Sequence, residues 1–231
     1  MAQRKGKSTG NTDEIVDVVE VKGSQPSVSS FIDNNQKLLS MIAMGIGVIA
    51  LLYVGYKFLY IGPREKDAVN AMYKAEEVFA KDSFALALES PGGGFEGFLD
   101  IIDNYSGTKA ANLAHYYAGI SYLNLGKYED AITYLEDYSD DDEVTSITKA
   151  GALGDAYAET GDKDKALSLY QKAAGATEND LLTPYYTHKL AMLYYSQGKT
   201  KEAVEQLEII KSKYPDSNEY SQAEKLLAKL Q

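Results

Sequence analysis

A pattern of small and aromatic residues recurs three times in the second half of this 231-residue chain. Each copy has a small residue, a tyrosine three positions later and a glycine four positions after the tyrosine. The small residues are Gly119, Gly154 and Ala191, which stand 35 and 37 positions apart. A period of this length predicts a stack of helix-turn-helix units, in which each unit buries its apolar face against the next.

The residue types follow from how two helices meet within one unit. A small residue lets the first helix approach its partner closely, and a glycine ends that helix because the chain must then enter a left-handed turn. An alanine five positions after the glycine marks a second close crossing. The glycines are Gly126, Gly161 and Gly198, and the alanines are Ala131, Ala166 and Ala203.

This pattern resembles the tetratricopeptide repeat, a unit of about 34 residues. The resemblance implies an all-α fold, an α-solenoid with three clear repeats. Asp67 to Lys81 is predicted to form an amphipathic helix, and Phe95 to Tyr105 the second helix of a degenerate first repeat. After Pro215, Ser217 is placed to start a C-terminal capping helix from Asn218 to Leu230.

One apolar run precedes the repeats, from Leu38 to Ile61, and its sole formal charge is Lys57. A helix of about 24 residues rises about 36 Å, enough to cross a hydrocarbon core of about 30 Å. Tyr53 and Tyr56 lie near its C-terminal end, where aromatic rings sit at the headgroup level. The run therefore predicts a single transmembrane helix.

The chain is expected to divide into a disordered polar tail at residues 1–37, the transmembrane helix at 38–61, a linking helix with the degenerate repeat at 62–110, and the repeats with their capping helix at 111–231. The linking helix is expected to follow the anchor almost directly, interrupted at Gly62 and Pro63. Gly45 and Gly47 are small enough to let another membrane helix approach closely.

Charge is concentrated in the repeats. Residues 1–37 carry five basic and five acidic side chains, whereas 17 basic and 29 acidic residues follow from Gly62 onward, a net of −12. Phosphate backbones and anionic headgroups repel such a domain, which disfavours nucleic acid as a partner and favours basic polypeptide segments.

The sequence contains little that predicts catalysis. His115 and His188 fall in different repeats and lack metal-ligand spacing, and the chain has no cysteine. The acidic run at residues 136–143 lacks the glycine and closing glutamate of a calcium loop, so a solvated loop between helices is favoured over a cation site. We expect no enzyme activity, no cofactor and no metal.

Binding of a polypeptide is the favoured function. In repeat arrays the first helices line a groove that suits an extended peptide or a helix. Aromatic side chains supply contact area there, and carboxylates select basic partners. Carrying the repeat positions onto this chain predicts the groove residues Tyr116, Ile120, Leu123, Asn124, Asp155, Glu159, Tyr185, His188, Met192 and Tyr195.

The order of a basic tail, one N-terminal anchor and a short repeat array resembles the YfgM-like family of bacterial inner-membrane proteins. The segment FEGFLDIIDNYSGTKAANLAHYYAG is similar to that family's first-repeat boundary, whereas the long charged tail and the glycines at 92–94 depart from its pattern. The resemblance implies a single-pass protein with a cytoplasmic N-terminus and periplasmic repeats. It also implies an accessory subunit of the Sec translocon, working with a membrane-anchored chaperone on exported polypeptides.

Two other functions stay open. One is a scaffold for another envelope complex, serving outer-membrane insertion, cytochrome maturation or cell division. The other is a cytoplasm-facing adaptor, which inverted topology would produce. Lys22 and Lys37 lie before the anchor and Arg64, Lys66 and Lys74 lie after it, so the local count of basic residues does not favour a cytoplasmic tail. Adding the basic residues at positions 4, 5 and 7 restores rough parity.

Overall fold

The structure is a computed structural model that describes residue 32 and residues 35–90, 94–140, 142–176 and 179–230. Within those residues the regular structure is entirely helical. The chain divides into two compact units, residues 1–53 and residues 54–231. Most of the polar tail at residues 1–37, predicted to be disordered, lies outside the described residues.

Helix α1, Gln36–Tyr56, contains most of the apolar run. None of its residues is buried, and it is long and apolar enough to cross a membrane. A Cβ atom added at Gly45 or Gly47 would meet nothing within 4 Å, so both glycines present an open surface. Because the described chain buries none of its residues, the side chains of this helix can contact another apolar environment.

The predicted interruption at Gly62 and Pro63 is wrong. A π-helical segment, Lys57–Ile61, follows α1, and α2, Gly62–Phe79, begins directly after it with proline in its first turn. The Gly62 amide donates to the Lys57 carbonyl, five residues back. Proline lacks an N–H and carries a bulky ring. The wider π-helical turn accommodates both features, so the helix continues through Pro63.

The degenerate first repeat contains one more helix than the sequence predicted. Helix α3, Phe84–Glu89, lies between α2 and α4, Phe98–Asn104. The second helix of this repeat was predicted to begin at Phe95, but it begins three residues later. Phe79 packs edge-on against the Phe98 and Tyr117 rings, with centroids 6.1 Å and 5.0 Å away, and this aromatic cluster joins the first repeat to the next.

Three helix pairs follow, as the period predicted. They are α5, Lys109–Asn124, with α6, Tyr128–Asp137; α7, Glu143–Glu159, with α8, Lys163–Gly175; and α9, Leu182–Ser196, with α10, Thr200–Lys213. Leu135, Leu207 and Ile210 in the second helices are fully buried. The core therefore runs along the stack between first and second helices.

The packing of the small residues confirms the steric argument. A Cβ atom added at Gly119 would lie 2.5 Å from Leu135 Cγ, and one at Gly154 would lie 2.7 Å from the Tyr170 ring. The turn glycines have positive φ, for example +71° at Gly126. Each repeat therefore depends on small residues and glycine for two separate reasons, close approach and a left-handed turn.

The capping helix α11, Tyr220–Leu230, begins two residues later than predicted, and Ser217 does not cap it. The Ser217 hydroxyl is buried without a hydrogen-bond partner among the described residues. The Ser217 carbonyl instead accepts from the Tyr220 amide at 3.2 Å, which forms a turn before the helix. Ala223 and Leu227 bury the inner face of α11 against the last repeat.

Candidate partner-binding groove

The candidate groove is built from the first helices of the repeats, α5, α7 and α9, continued by α11. Three of its predicted residues are half-buried by the neighbouring repeat. Tyr116, Ile120 and Leu123 in α5 pack against a buried cluster formed by Leu135, Ala152 and Leu153. These three side chains therefore pack against their own repeat and against the next one, which leaves less of their surface for a ligand.

Two predicted groove residues are exposed polar groups. Asn124 lies at the end of α5, and its Nδ2 donates to the Ile120 carbonyl at 2.8 Å. Glu159 lies at the end of α7 and faces solvent. The two residues occupy equivalent ends of successive first helices, where a carboxylate and an amide are accessible to a ligand.

Asp155 is not a free carboxylate. Both of its oxygens accept from Lys189 Nζ, at 2.6 Å and 2.7 Å, and Oδ1 also accepts from the Tyr170 hydroxyl at 2.5 Å. Burial opposes the Lys189 charge, but the hydrogen bond and charge of Asp155 outweigh it and raise the pKa of Lys189. Asp155 was predicted to select basic partners, but its carboxylate is already paired with Lys189 of the same chain.

The exposed apolar residues of the groove belong to α9. Tyr185 is 42% exposed, and Met192 and Tyr195 are each 43% exposed. Their spacing of seven and three residues places them along one face of the helix. Large side chains exposed together in this way indicate a contact surface more than a packed core.

His188 lies on the same helix, half-buried, and burial lowers its pKa. With Met192 it lines a cavity of about 250 Å³ that α11 closes from the other side through Lys225, Leu226 and Lys229. Sequence reasoning did not include α11 in the groove, because the predicted residues were taken from the first helices alone.

A second exposed patch on α2 was also missed. Val69 is 54% exposed and Tyr73 is 72% exposed, beside a cavity of about 330 Å³ that reaches Met72 and Leu113. No groove residue was predicted from the sequence in the degenerate first unit. The predicted helix there contained them, but its register relative to the later repeats was not assigned.

The part of the chain that the structure describes contains no metal-binding cluster. No cluster of three His, Cys, Asp or Glu side chains there has the arrangement to hold a metal ion. His115 packs on the Tyr134 ring, with centroids 5.9 Å apart, and burial lowers its pKa despite the Asp137 charge. His115 thus packs between α5 and α6.

The described part of the acidic run at 136–143 serves local structure. Asp142 begins α7, where its Oδ1 accepts from the Thr145 amide at 3.0 Å, and this bond lowers the pKa of Asp142. Asp140 lies 3.5 Å from Lys149 Nζ. Position 141 lies outside the described residues. Helix capping and ion pairing therefore account for these two carboxylates.

Comparison with known proteins agrees with this architecture. Tetratricopeptide repeat models match residues 113–141, 150–185 and 188–217. A crystal structure from Podosopora anserina, of a protein described as kinesin light chain nearly identical TPR-like repeats, is 15% identical. The alignment covers 74% of this chain and 86% of that one, with a TM-score of 0.50, which supports the fold alone. A search of the curated proteins gave no significant match.

The chain therefore carries tetratricopeptide repeats in an all-helical fold, with one apolar helix near its N-terminus. Repeats of this kind form protein–protein interaction modules, and their surfaces bind polypeptides rather than catalyse reactions.

Proposed function

We propose that this protein is a membrane-anchored module that binds polypeptide partners through the groove formed by α5, α7, α9 and α11. The observation that carries the proposal is the exposure of Tyr185, Met192 and Tyr195 along one face of α9. Tyrosine and methionine provide large contact areas, and tyrosine loses little conformational entropy when it is fixed. Within the described chain, a large part of each of these side chains faces solvent.

The anchor in this proposal is α1. Support comes from its length, its mean hydropathy of 2.3 over an 18-residue window and the absence of any buried residue along it. A helix with these properties is stable in a lipid bilayer, where its backbone groups are satisfied internally and its side chains contact acyl chains. The polar repeats then remain in the aqueous phase beside the membrane.

The finer proposal is that the partner is the Sec translocon, with a membrane-anchored chaperone, and that the repeats face the bacterial periplasm. Its support is the resemblance in architecture described above, a basic tail followed by one anchor and a short acidic array. A net charge of −12 from Gly62 onward also suits repeats that must not adhere to an anionic membrane surface.

A pull-down of the full chain in mild detergent tests the groove. We expect Tyr185→Ala with Tyr195→Ala to reduce partner recovery about tenfold or more, since such anchors are each worth about 1–2 kcal/mol or more. The matched control is Leu125→Ala with Val144→Ala, which removes two similarly exposed apolar side chains that are not among the predicted groove residues. Equal recovery from both variants would show that the groove is not the contact surface.

The same pull-down tests the identity of the partner. We expect to recover translocon subunits, and recovery of outer-membrane assembly or cell-division proteins alone would assign the protein to another envelope scaffold.

The topology has a test of its own. A reporter fused after Gln231 is expected to be active only outside the cytoplasm. Cytoplasmic activity would instead favour an adaptor of inverted topology.

A further inference from the structure

The repeats are electrically polarised along the stack. Residues 62–181 carry 10 basic and 23 acidic side chains, a net of −13, whereas residues 182–231 carry seven basic and six acidic side chains, a net of +1. The last repeat and its capping helix therefore differ in charge from the repeats that precede them. A partner that contacts α9 and α11 therefore meets a part of the chain with a net charge of +1, although the net charge from Gly62 onward is −12.

The cavity between α9 and α11 has an apolar floor and a basic rim. Met192 and the half-buried Leu226 face it from the two helices. Lys225 and Lys229 lie four residues apart on α11, so they share one face of that helix and line the same cavity. His188 adds an imidazole from α9.

The two lysines are free to meet a partner. Both are exposed, and within the described residues no carboxylate forms an ion pair with either one. Lys189 differs, because Asp155 neutralises it. Helix α11 and the turn before it also carry Glu224, which accepts from the Tyr220 hydroxyl at 3.1 Å, and Glu219, whose charge acts on His188.

We propose that the cavity between α9 and α11 binds a partner segment in which an apolar side chain is flanked by carboxylates. The apolar side chain would contact Met192 and Leu226, and the carboxylates would pair with Lys225 and Lys229. A phosphate polymer or an anionic membrane does not fit as well, because the strongly acidic repeats before α9 repel an extended anionic surface but tolerate a short acidic segment.

This inference rests on the proposed function, since it gives the chemistry of the ligand for one end of the same groove. It also differs from the expectation drawn from net charge alone, which favours basic partners throughout. Charge complementarity at this end selects an acidic segment, while Glu159 at the end of α7 leaves the middle of the groove acidic.

Binding of labelled peptides to the full chain in mild detergent tests the proposal. The probe is a peptide of about 12 residues in which leucine alternates with glutamate, and its controls replace every glutamate by glutamine or by lysine. We expect the glutamate peptide to bind about tenfold more tightly than the glutamine peptide, with an affinity that falls as salt is raised. Equal affinities, or tighter binding of the lysine peptide, would overturn the proposal.

The matched variants are Lys225→Glu with Lys229→Glu, and Lys211→Glu with Lys213→Glu on α10. Both change the net charge equally, but only the first pair lines the cavity. We expect the first to weaken binding of the glutamate peptide about tenfold or more and the second less than about twofold, because charges beyond about 8 Å are screened at physiological salt. Equal effects of the two variants would refute a local site. Far-UV circular dichroism checks that both fold.

Sedimentation of the full chain without peptide tests one competing occupant. A dimer that is dissociated by Lys225→Glu with Lys229→Glu would assign the cavity to a second copy of this chain and overturn the proposal. Sedimentation that these substitutions leave unchanged supports it.

The proposed function has separate readouts. If the two tyrosine substitutions abolish partner recovery while the peptides bind alike, the proposed function stands and this inference fails. The reverse pattern would retain the acidic site and reject the broader groove.

Discussion

Asp155 in α7 and Lys189 in α9 form an ion pair between successive repeats, with Nζ 2.6 Å and 2.7 Å from the two carboxylate oxygens. The hydroxyl of Tyr170, in α8, donates to the same carboxylate. Each side chain of the pair is 27% exposed, so water screens the attraction only in part. One carboxylate thus joins three helices at the middle of the repeat array.

Replacing that carboxylate is expected to destabilise the array. Asp155→Asn leaves the Lys189 ammonium in a partly buried position without its counter-charge, so we expect a loss of about 1–3 kcal/mol in the free energy of unfolding. Urea denaturation followed by circular dichroism measures it. The control is Glu205→Gln on the exposed face of α10, expected within about 0.5 kcal/mol of the parent. Equal midpoints for both variants would mean that the pair contributes nothing.

Alkaline pH is expected to destabilise the repeats, because three buried tyrosines hold their protons more tightly in the folded state. Burial raises the pKa of Tyr122 to about 12 and also raises the pKa of Tyr170 and of Tyr186. The folded state therefore retains protons that the unfolded state loses above about pH 10, so stability falls as pH rises through that range.

Urea midpoints measured between about pH 8 and pH 11 test this dependence. Tyr170→Phe is expected to reduce the loss at high pH, because the group that binds the extra proton is gone, although it also removes the hydrogen bond to Asp155. Tyr195→Phe, at an exposed position, is the control and should leave the slope unchanged. A urea midpoint that does not vary with pH would contradict the raised pKa values of the buried tyrosines.

Gly119→Ala is expected to destabilise the pair formed by α5 and α6. The new Cβ would lie 2.5 Å from Leu135 Cγ and 3.1 Å from the Leu135 amide nitrogen, so the side chain and the backbone must both shift. Overpacking of this kind costs about 1–3 kcal/mol. Gly175→Ala at the end of α8 is the control, because nothing lies within 4 Å of its Cβ. Thermal midpoints that fall equally in both would show that helix propensity, not packing, controls the effect.

Glu65 is expected to hold the start of α2 against α5. Its two carboxylate oxygens accept from the backbone amides of Lys109 and Ala110, at 2.7 Å and 3.1 Å, which are free donors at the N-terminus of α5. Glu65→Ala should cost about 1–2 kcal/mol, and Glu65→Gln less because it keeps one acceptor.

Hydrogen exchange of the amides of Lys109 and Ala110 measures this contact directly. Faster exchange is expected in Glu65→Ala. Asp67→Ala, an exposed acidic residue on the same helix, is the control and should leave exchange unchanged. Protection that persists in Glu65→Ala would show that another group, such as the Thr108 hydroxyl that accepts from Ala111, is sufficient to cap α5.

The repeat fold was predictable because its geometry restricts residue type at fixed positions. Gly119 and Gly154 stand where a neighbouring side chain leaves no room for a Cβ atom, and Gly126 stands where φ is positive. These are short-range requirements within one repeat, so they recur with the period of the repeat and are visible in the sequence.

The first repeat was harder to predict because its structure depends on contacts that do not recur. Helix α3 has six residues, too few for a clear periodicity, and it packs where Gly97 meets the backbone of Leu88. The π-helical turn before Pro63 was also not predicted, because a proline can either interrupt a helix or be accommodated by a wider turn before it, and the sequence does not distinguish the two.

The sequence by itself determined that this chain has an apolar helix of membrane-spanning length and a stack of tetratricopeptide repeats, since both depend on local composition and spacing. Only the tertiary structure decided which groove residues are available. It half-buried Tyr116, paired Asp155 with a lysine 34 residues away, and left Tyr185 exposed. Exposure and ion pairing depend on side chains from the next repeat, and no pattern within a single repeat specifies them.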